Sequence, residues 1–141
     1  MSMLQLRYSV PGDDFTRAGE ASGDVKHKLK KLGYNPSAIR RVSIAMYEGE
    51  INMVIHADGG RVEVDVGMDA ITLRLIDHGP GIPDVNQAME EGFTTAGDVA
   101  RDLGFGAGMG LPNMKKYSDE MRIDSTVGVG TTVYMTVYTG G

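Results

Sequence analysis

Residues 35–57 have the sequence NPSAIRRVSIAMYEGEINMVIHA, and this stretch decides the fold. Asn35 followed by Pro36 is typical of a helix start, because asparagine caps the helix and proline fits its first position. Apolar residues then follow on nearly every side of the predicted helix, which favours a central position in the core. Its polar exceptions Glu48 and Asn52 are spaced i, i+4, so they lie on one face.

Segments on both sides of this helix alternate apolar and polar side chains, as half-buried strands do. The alternating segments are residues 3–10, 61–66, 71–77, 120–127 and 131–138. Glycine-containing turns join the second segment to the third and the fourth to the fifth, which predicts two hairpins. Pro11-Gly12 ends the first strand.

Three further helices are predicted. Asp13 or Asp14 caps a helix that runs to about Leu32 with one apolar face. That face consists of Phe15, Ala18, Ala21, Val25, Leu29 and Leu32. Its lysines form a basic edge, which is either a solvated face or a docking surface: Lys26, Lys28, Lys30 and Lys31. A short helix is expected at 84–91 and another at about 110–118.

The composition favours one domain over residues 1–141, a usual length for a single domain. The chain has 14 Lys+Arg and 19 Asp+Glu, so its net charge of −5 gives no general attraction for nucleic acid or anionic lipid. Cysteine is absent from the sequence, which excludes disulfides and cysteine-ligated zinc. Without an apolar run of membrane-spanning length or a signal peptide, we expect a soluble cytoplasmic protein with no membrane partner.

The order β-α-α-β-β-(loop)-α-β-β predicts an α+β fold. We expect a two-layer α/β sandwich, with a mixed, mostly antiparallel sheet and helices on one face. Residues 92–109 form a long loop rich in glycine and small residues, and such loops are usually functional or mobile. Gly49 inside the central helix costs about 1 kcal/mol relative to alanine. Close packing against a ligand or another helix would explain it.

Several common catalytic motifs are missing. A Walker A loop requires Gly-Lys, which does not occur in this sequence. The dinucleotide pattern GxGxxG fails because Met109 and Leu111 stand where its last glycine belongs. The kinase triplet His-Arg-Asp and the hydrolase elbow GxSxG are also missing. Three histidines lack metal-ligand spacing: His27, His56 and His78.

Four polar and glycine-rich blocks remain. They are Glu48-x-x-x-Asn52, Asp77-x-Gly79-x-Gly81, the run GFGAGMG at 104–110, and Gly128-x-Gly130-Thr131. In this order they resemble the N, G1, G2 and G3 boxes of the GHKL ATPases, which include gyrase B, Hsp90, histidine kinases and MutL. The resemblance covers about residues 5 to 138 and implies the Bergerat-type ATP-binding fold. Residues 89–125 further resemble the anti-sigma-factor serine/threonine kinases of bacterial partner-switching systems.

The first block fits metal and proton chemistry. Mg²⁺ binds through few protein oxygens, and the resemblance implies that the Asn52 amide oxygen is one of them. A structural buried amide is the alternative. Glu48, one turn earlier, faces the same pocket and could take the proton of an attacking hydroxyl. In the resembled kinases that hydroxyl belongs to serine or threonine. Neighbouring Glu50 is expected to lie on the surface.

The second and fourth blocks fit adenine recognition. A carboxylate only accepts hydrogen bonds, so Asp77 would accept from the exocyclic amine of adenine and reject guanine. Gly79 and Gly81 let the backbone approach the ring, although Asp, Gly and Pro also favour an ordinary turn at a strand end. Thr131 matches the family threonine that reaches adenine directly or through water; a β-branched strand residue is its alternative.

The glycine run fits a phosphate cradle, because glycine N–H groups and a helix start together bind anions. The candidate residues are Gly106, Gly108, Met109, Gly110 and Leu111. The resemblance implies that residues 92–109 form the ATP lid. A basic side chain for the γ-phosphate is left open among Arg101, Lys115 and Lys116, each of which could simply be solvated.

The resemblance implies an ATP- and Mg²⁺-dependent serine/threonine kinase of the anti-sigma regulatory type. Its substrate would be a small STAS-like antagonist protein, with a sigma factor or phosphatase as a possible further partner and a homodimer as a possible assembly. The alternative is a non-catalytic module that uses nucleotide to shape a surface that sequesters a sigma factor or activates a phosphatase. The ATPase half of a histidine kinase is less favoured, because nothing before residue 11 provides a dimerisation helix.

Overall fold

The computed structural model describes residues 2–12, 17–57, 59–89 and 110–140. Within these ranges the chain forms five strands and four helices. In chain order they are β1 Ser2–Pro11, α1 Glu20–Leu32, α2 Pro36–His56, β2 Gly59–Gly67, β3 Ala70–Asp77, α3 Val85–Ala88, α4 Gly110–Tyr117, β4 Glu120–Thr126 and β5 Gly130–Tyr138. The predicted α+β element order is confirmed.

The five strands form one sheet in the order β1-β2-β3-β5-β4. All four pairings between the described strands are antiparallel, so the prediction of a mostly antiparallel sheet is confirmed. In the β3–β5 ladder Asp77 stands opposite Thr131, and in the β4–β5 ladder Ser125 also stands opposite Thr131. This register brings the ends of three strands to one place.

The two faces of the sheet differ in chemistry. One face carries alternating buried apolar side chains: Val62, Val64, Val66, Ile71, Leu73, Leu75, Val133, Met135 and Val137. Helices α1, α2 and α4 share the core cluster with these side chains. On the opposite face Arg74 pairs with Glu63 at 3.1 Å and Asp65 at 3.0 Å. The sheet is therefore covered by helices on one side, as predicted.

Helix α2 occupies the centre of this helical layer. It packs against α1, α4 and four of the five strands. Its start is the predicted one, since the Asn35 side chain accepts a hydrogen bond from the Ala38 N–H at 2.7 Å and Pro36 begins the helix. The sequence therefore located both the position and the cap of this helix.

Helix α1 begins later than the sequence predicts. Its first residue is Glu20 and its N-cap is Gly19, so the expected start at Asp13 or Asp14 is wrong; both aspartates lie outside the described residues. Of the predicted apolar face, Ala21, Val25 and Leu29 are buried, Ala18 precedes the helix, Phe15 lies outside the described residues, and Leu32 is 50% exposed. Glycine has no side chain with which to cap a helix, so another group must bind the free N–H groups.

Glu50 of α2 provides that cap. Its carboxylate accepts hydrogen bonds from the N–H of Gly19 at 3.0 Å, of Ala21 at 3.3 Å and of Ser22 at 2.6 Å. The residue is 2% exposed, so the expectation of a surface position is wrong. A carboxylate at a helix N-terminus also interacts favourably with the helix dipole. Glu50 thus joins α1 to α2 in the core.

Gly49 allows α2 to approach the sheet closely. A β-carbon on Gly49 would lie 1.9 Å from Leu75 Cδ2 and 3.5 Å from Met114 Sδ. Both neighbouring side chains are buried and have little room to move. Close packing is therefore present at this glycine, but its partner is the sheet rather than the expected ligand or helix, because the distance to Met114 of α4 is an ordinary contact.

Gly49→Ala is expected to lower the free energy of unfolding by about 1–3 kcal/mol, because overpacking in the core outweighs the better helix propensity of alanine. Gly23 in α1 is the matched control, since a β-carbon there meets nothing within 4 Å. Gly23→Ala should raise the free energy of unfolding by about 0.5–1 kcal/mol. Urea unfolding of both variants measures the difference. Equal effects of the two substitutions would contradict the packing at Gly49.

Candidate functional site

One half of the candidate site lies between α2 and α4. Asn113 Nδ2 donates a hydrogen bond to Glu48 Oε1 at 3.2 Å. One turn further along α2, the amide oxygen of Asn52 faces the start of α4, where a β-carbon on Gly110 would lie 3.7 Å from it. The structure thus places both polar residues of the first block against the first turn of α4.

Burial changes the ionisation of two side chains of α2. Burial raises the pKa of Glu48 above that of an exposed glutamate, and the hydrogen bond from Asn113 partly opposes that rise. Burial lowers the pKa of His56 at the end of α2, which favours the uncharged ring. A carboxylate with a raised pKa is a stronger base once it is ionised.

The other half of the site lies at the end of β3. Asp77 Oδ1 accepts hydrogen bonds from the N–H of Gly79 at 2.9 Å and of Thr131 at 3.2 Å. Within the described ranges, Oδ2 accepts no hydrogen bond. The carboxylate is therefore fixed by Oδ1, and among the described residues Oδ2 is left as an acceptor without a donor.

The glycines after Asp77 are required by close contacts. A β-carbon on Gly79 would lie 2.7 Å from Ala57 at the end of α2. Gly81 has φ +82°, a left-handed conformation that favours glycine, and a β-carbon there would lie 2.5 Å from the Thr126 carbonyl oxygen. The segment after β3 is thus packed between the end of α2 and the end of β4.

A pair of hydroxyl groups lies beside Asp77. Thr131 Oγ1 and Ser125 Oγ are 2.7 Å apart, and Ser125 Oγ accepts the Ile82 N–H at 2.7 Å. Thr131 is 7% exposed, so this hydrogen bond holds its hydroxyl in place. The sequence interpretation did not include Ser125. Its position opposite Thr131 follows from the hairpin register across the Gly128–Gly130 turn, which was the available signal.

The predicted phosphate residues are only partly within the described chain. Gly110 and Leu111 begin α4, and the side chain of Leu111 is buried in the core. The N–H groups in the first turn of a helix have no partner within that helix. The other three candidates, Gly106, Gly108 and Met109, lie outside the described residues, as does the predicted lid at 92–109.

Of the three basic candidates for the γ-phosphate, two lie within the described residues and one does not. Lys115 and Lys116 lie exposed in the last turn of α4, at the opposite end from Gly110. The ammonium of Lys116 lies 5.3 Å from the centre of the Tyr117 ring. Arg101 lies outside the described residues. The geometry therefore does not favour either lysine as a ligand of a group bound at the start of α4.

The donor set suits a magnesium ion that is held mainly by other ligands. In the part of the chain that the structure describes, no three His, Cys, Asp or Glu side chains form a metal cluster. Asn52 of α2 instead offers one neutral oxygen, which faces the start of α4. Mg²⁺ typically takes one or two protein oxygens together with phosphates and water, so these residues fit it.

The two halves of the site lie along one helix. Glu48 precedes Ala57 by nine residues, which corresponds to about 13 Å of helix axis. A ligand that contacts both halves is therefore elongated, with a hydrogen-bond donor at the Asp77 end and negative charge at the α4 end. An antiparallel sheet covered by a central helix, with these two polar ends, is the arrangement expected of an α+β nucleotide-binding domain.

Comparison with known proteins identifies the family. Residues 38–140 match the family model described as histidine kinase-, DNA gyrase B- and HSP90-like ATPase. The match covers more than half of the chain, so the chain belongs to this family of ATPases. The family resemblance and the fold predicted from the four blocks are both confirmed.

Two curated relatives narrow the likeness. The chain is 33% identical over 112 residues to the serine/threonine-protein kinase RsbT of Bacillus subtilis (strain 168), covering 77% of this chain and 78% of the relative. It is 36% identical over 107 residues to the anti-sigma F factor of Caldanaerobacter subterraneus subsp. tengcongensis, covering 72% and 71%. The relatives thus include a protein kinase and anti-sigma factors, as the resemblance of residues 89–125 predicted.

A solved structure agrees on the fold. The structure of the RsbU and RsbW domains of Rv1364c from Mycobacterium tuberculosis matches with a TM-score of 0.65 and 18% identity. It covers 96% of this chain and 32% of that longer chain.

Among the helices that the structure describes, none is both long and apolar enough to span a membrane.

Proposed function

We propose that the protein is an ATP- and Mg²⁺-dependent serine/threonine kinase that acts in partner switching and phosphorylates a small STAS-like antagonist protein. The observation that carries this proposal is the placement of Glu48 and Asn52 against the first turn of α4. A base and a metal ligand at a phosphate-binding helix start are the groups that phosphate transfer to a hydroxyl requires.

The adenine end of the proposal rests on Asp77. Its Oδ2, which no described group donates to, would accept a hydrogen bond from the exocyclic amine. Gly79 and Gly81 keep the segment that follows Asp77 packed against Ala57 and Thr126. The hydroxyl of Thr131, held by Ser125, would bond a ring nitrogen directly or through water. A single oriented acceptor distinguishes adenine from guanine, whose matching edge carries a carbonyl.

The phosphate end rests on α4 and Asn52. The free N–H groups of Gly110 and Leu111 at the helix start attract negative charge. The Asn52 amide oxygen would hold Mg²⁺, which neutralises charge on the phosphates when it is bound. Residues 106, 108 and 109 belong to the proposed cradle through their match to the family motif.

Glu48 is the proposed general base. It takes the proton of the substrate serine or threonine hydroxyl as the hydroxyl oxygen forms a bond to the γ-phosphorus. The bond from that phosphorus to the bridging oxygen breaks, and ADP leaves with the electron pair. The phosphoprotein gains a charge of about −2, which can separate a docked interface.

Transfer of radiolabelled γ-phosphate tests the proposal. The purified chain, MgATP and a STAS-like protein from the same genome should give labelled phosphoserine or phosphothreonine and ADP in equal amounts. A complex that forms with nucleotide but gives no ADP and no labelled protein would contradict the kinase activity.

The same mixture tests the alternative of a non-catalytic binding module. The name anti-sigma F factor of several relatives motivates it. A stable, nucleotide-dependent complex with a sigma factor or phosphatase, without turnover, would support this second function. Size-exclusion chromatography of that complex also measures whether the chain is a homodimer.

A further inference from the structure

Asn113 stands at the contact between α2 and α4. Its neighbours Leu111 and Met114 are buried in the core and fix α4 against α2. Gly49, which follows Glu48, lies so close to the sheet that a β-carbon there would be 1.9 Å from Leu75 Cδ2, so α2 is in turn fixed against β3. Leu111 and Met114, which stand before and after Asn113 in the sequence, thus hold α4 in place where the Asn113 amide reaches Glu48.

The hydrogen bond divides the two oxygens of Glu48 into different roles. Oε1 accepts the Asn113 Nδ2–H at 3.2 Å. Among the residues that the structure describes, none donates to Oε2. Asparagine Nδ2 is a donor only, so it bonds the ionised carboxylate and opposes protonation of Oε1.

We infer that Asn113 is a positioning residue that keeps the Glu48 carboxylate oriented, with Oε2 directed to receive the substrate's hydroxyl proton. This inference rests on the proposed kinase function. The proton goes to Oε2, while Oε1 keeps its bond to the amide throughout. Because Asn113 lies in the first turn of α4, the same helix orients the base and the phosphates.

Charged side chains of the described residues do not account for the pKa of Glu48, so the hydrogen bond from Asn113 is a separate influence on that pKa. Within the described residues, the pKa of Glu48 responds to burial, which raises it, and to Asn113, which lowers it. Lys115 and Lys116 of α4 are exposed in its last turn, and His56 lies two turns further along α2. Removal of the amide should therefore leave burial unopposed.

The test compares Asn113→Ala, Asn113→Asp and the control Asn86→Ala, which removes an exposed amide from α3. Carbon NMR of the Glu48 carboxyl, assigned with Glu48→Gln, measures its pKa in nucleotide-free protein. The pKa should rise in Asn113→Ala and rise further in Asn113→Asp, where a like charge replaces the donor. Asn86→Ala should leave it unchanged. Alanine favours helices over asparagine, so loss of folding is not expected.

Kinetics give the second measurement. Asn113→Ala should lower kcat by about tenfold or more with little change in KM for MgATP, since a misdirected base weakens only the chemical step. Its activity should also begin to fall at a higher pH on acidification than that of the wild type. An unchanged pKa of Glu48 in both Asn113 variants would overturn the inference. If the pKa moves as expected but the wild type transfers no phosphate, the proposed function fails and the contact stands.

Discussion

Glu48→Gln should reduce phosphate transfer by about 10²–10⁴-fold, the usual contribution of a general base. Glutamine has nearly the same shape and keeps an oxygen for the Asn113 amide, but it cannot take a proton. Binding of MgATP should stay within about threefold of the wild type, because Glu48 acts on the hydroxyl and not on the nucleotide. Single-turnover transfer assays and calorimetry measure the two effects.

The pH dependence of phosphate transfer follows from the direction in which the pKa of Glu48 is shifted. Burial raises the pKa of Glu48, and the residue acts as a base only when it is ionised. Activity should therefore be present above that pKa and be lost as the pH falls through it, at a higher pH than for an exposed glutamate. Glu20→Gln, which removes an exposed carboxylate from α1, is the control and should retain full activity. Full activity of Glu48→Gln would exclude the proposed base.

Glu50→Ala should lower the free energy of unfolding by about 3 kcal/mol, because three backbone N–H groups lose a charged acceptor and no other described side chain caps α1. This is a large part of the stability of an ordinary domain. Glu50→Gln keeps a single acceptor oxygen and should lose about half as much. Urea unfolding followed by circular dichroism measures both variants.

Glu20→Gln is also the stability control. Glu20 lies in the first turn of the same helix and pairs with Arg17 at 3.3 Å, with both side chains more than half exposed. Such surface pairs contribute about 0–1 kcal/mol, so the control should differ little from the wild type. If Glu50→Ala were as stable as Glu20→Gln, the buried cap would not hold α1.

The contrast between the two helix starts shows what the sequence can predict. The start of α2 depends on Asn35 and Pro36, which are neighbours in the chain, so local capping rules locate it. The start of α1 depends on Glu50, which is 28 to 31 residues away from its partners. A carboxylate that caps a distant helix has no local pattern, so the sequence predicts a surface position for Glu50.

The candidate site likewise contains residues that the sequence predicts and residues that it does not. The i, i+4 spacing placed Glu48 and Asn52 on one face, and the family motif pointed to Asp77 and Thr131. Asn113 and Ser125 were not found, because each acts through a contact between elements. Asn113 of α4 reaches Glu48 of α2 through the packing of the two helices, which no local sequence pattern encodes. Ser125 is easier to find from the sequence, because its position opposite Thr131 can be counted from the hairpin turn.

The central claim is an adenine site built on Asp77, and calorimetry of MgADP and MgGDP tests it most directly. In Asp77→Asn the amide oxygen should keep the bonds from Gly79 and Thr131, so the NH₂ group replaces Oδ2 and opposes the adenine amine. Loss of a hydrogen bond to a charged group should weaken ADP binding by about 10- to 100-fold. The preference for ADP over GDP should narrow, because NH₂ can donate to the guanine carbonyl. No uptake of ADP by folded wild-type protein, or unchanged binding by Asp77→Asn, would contradict the claim.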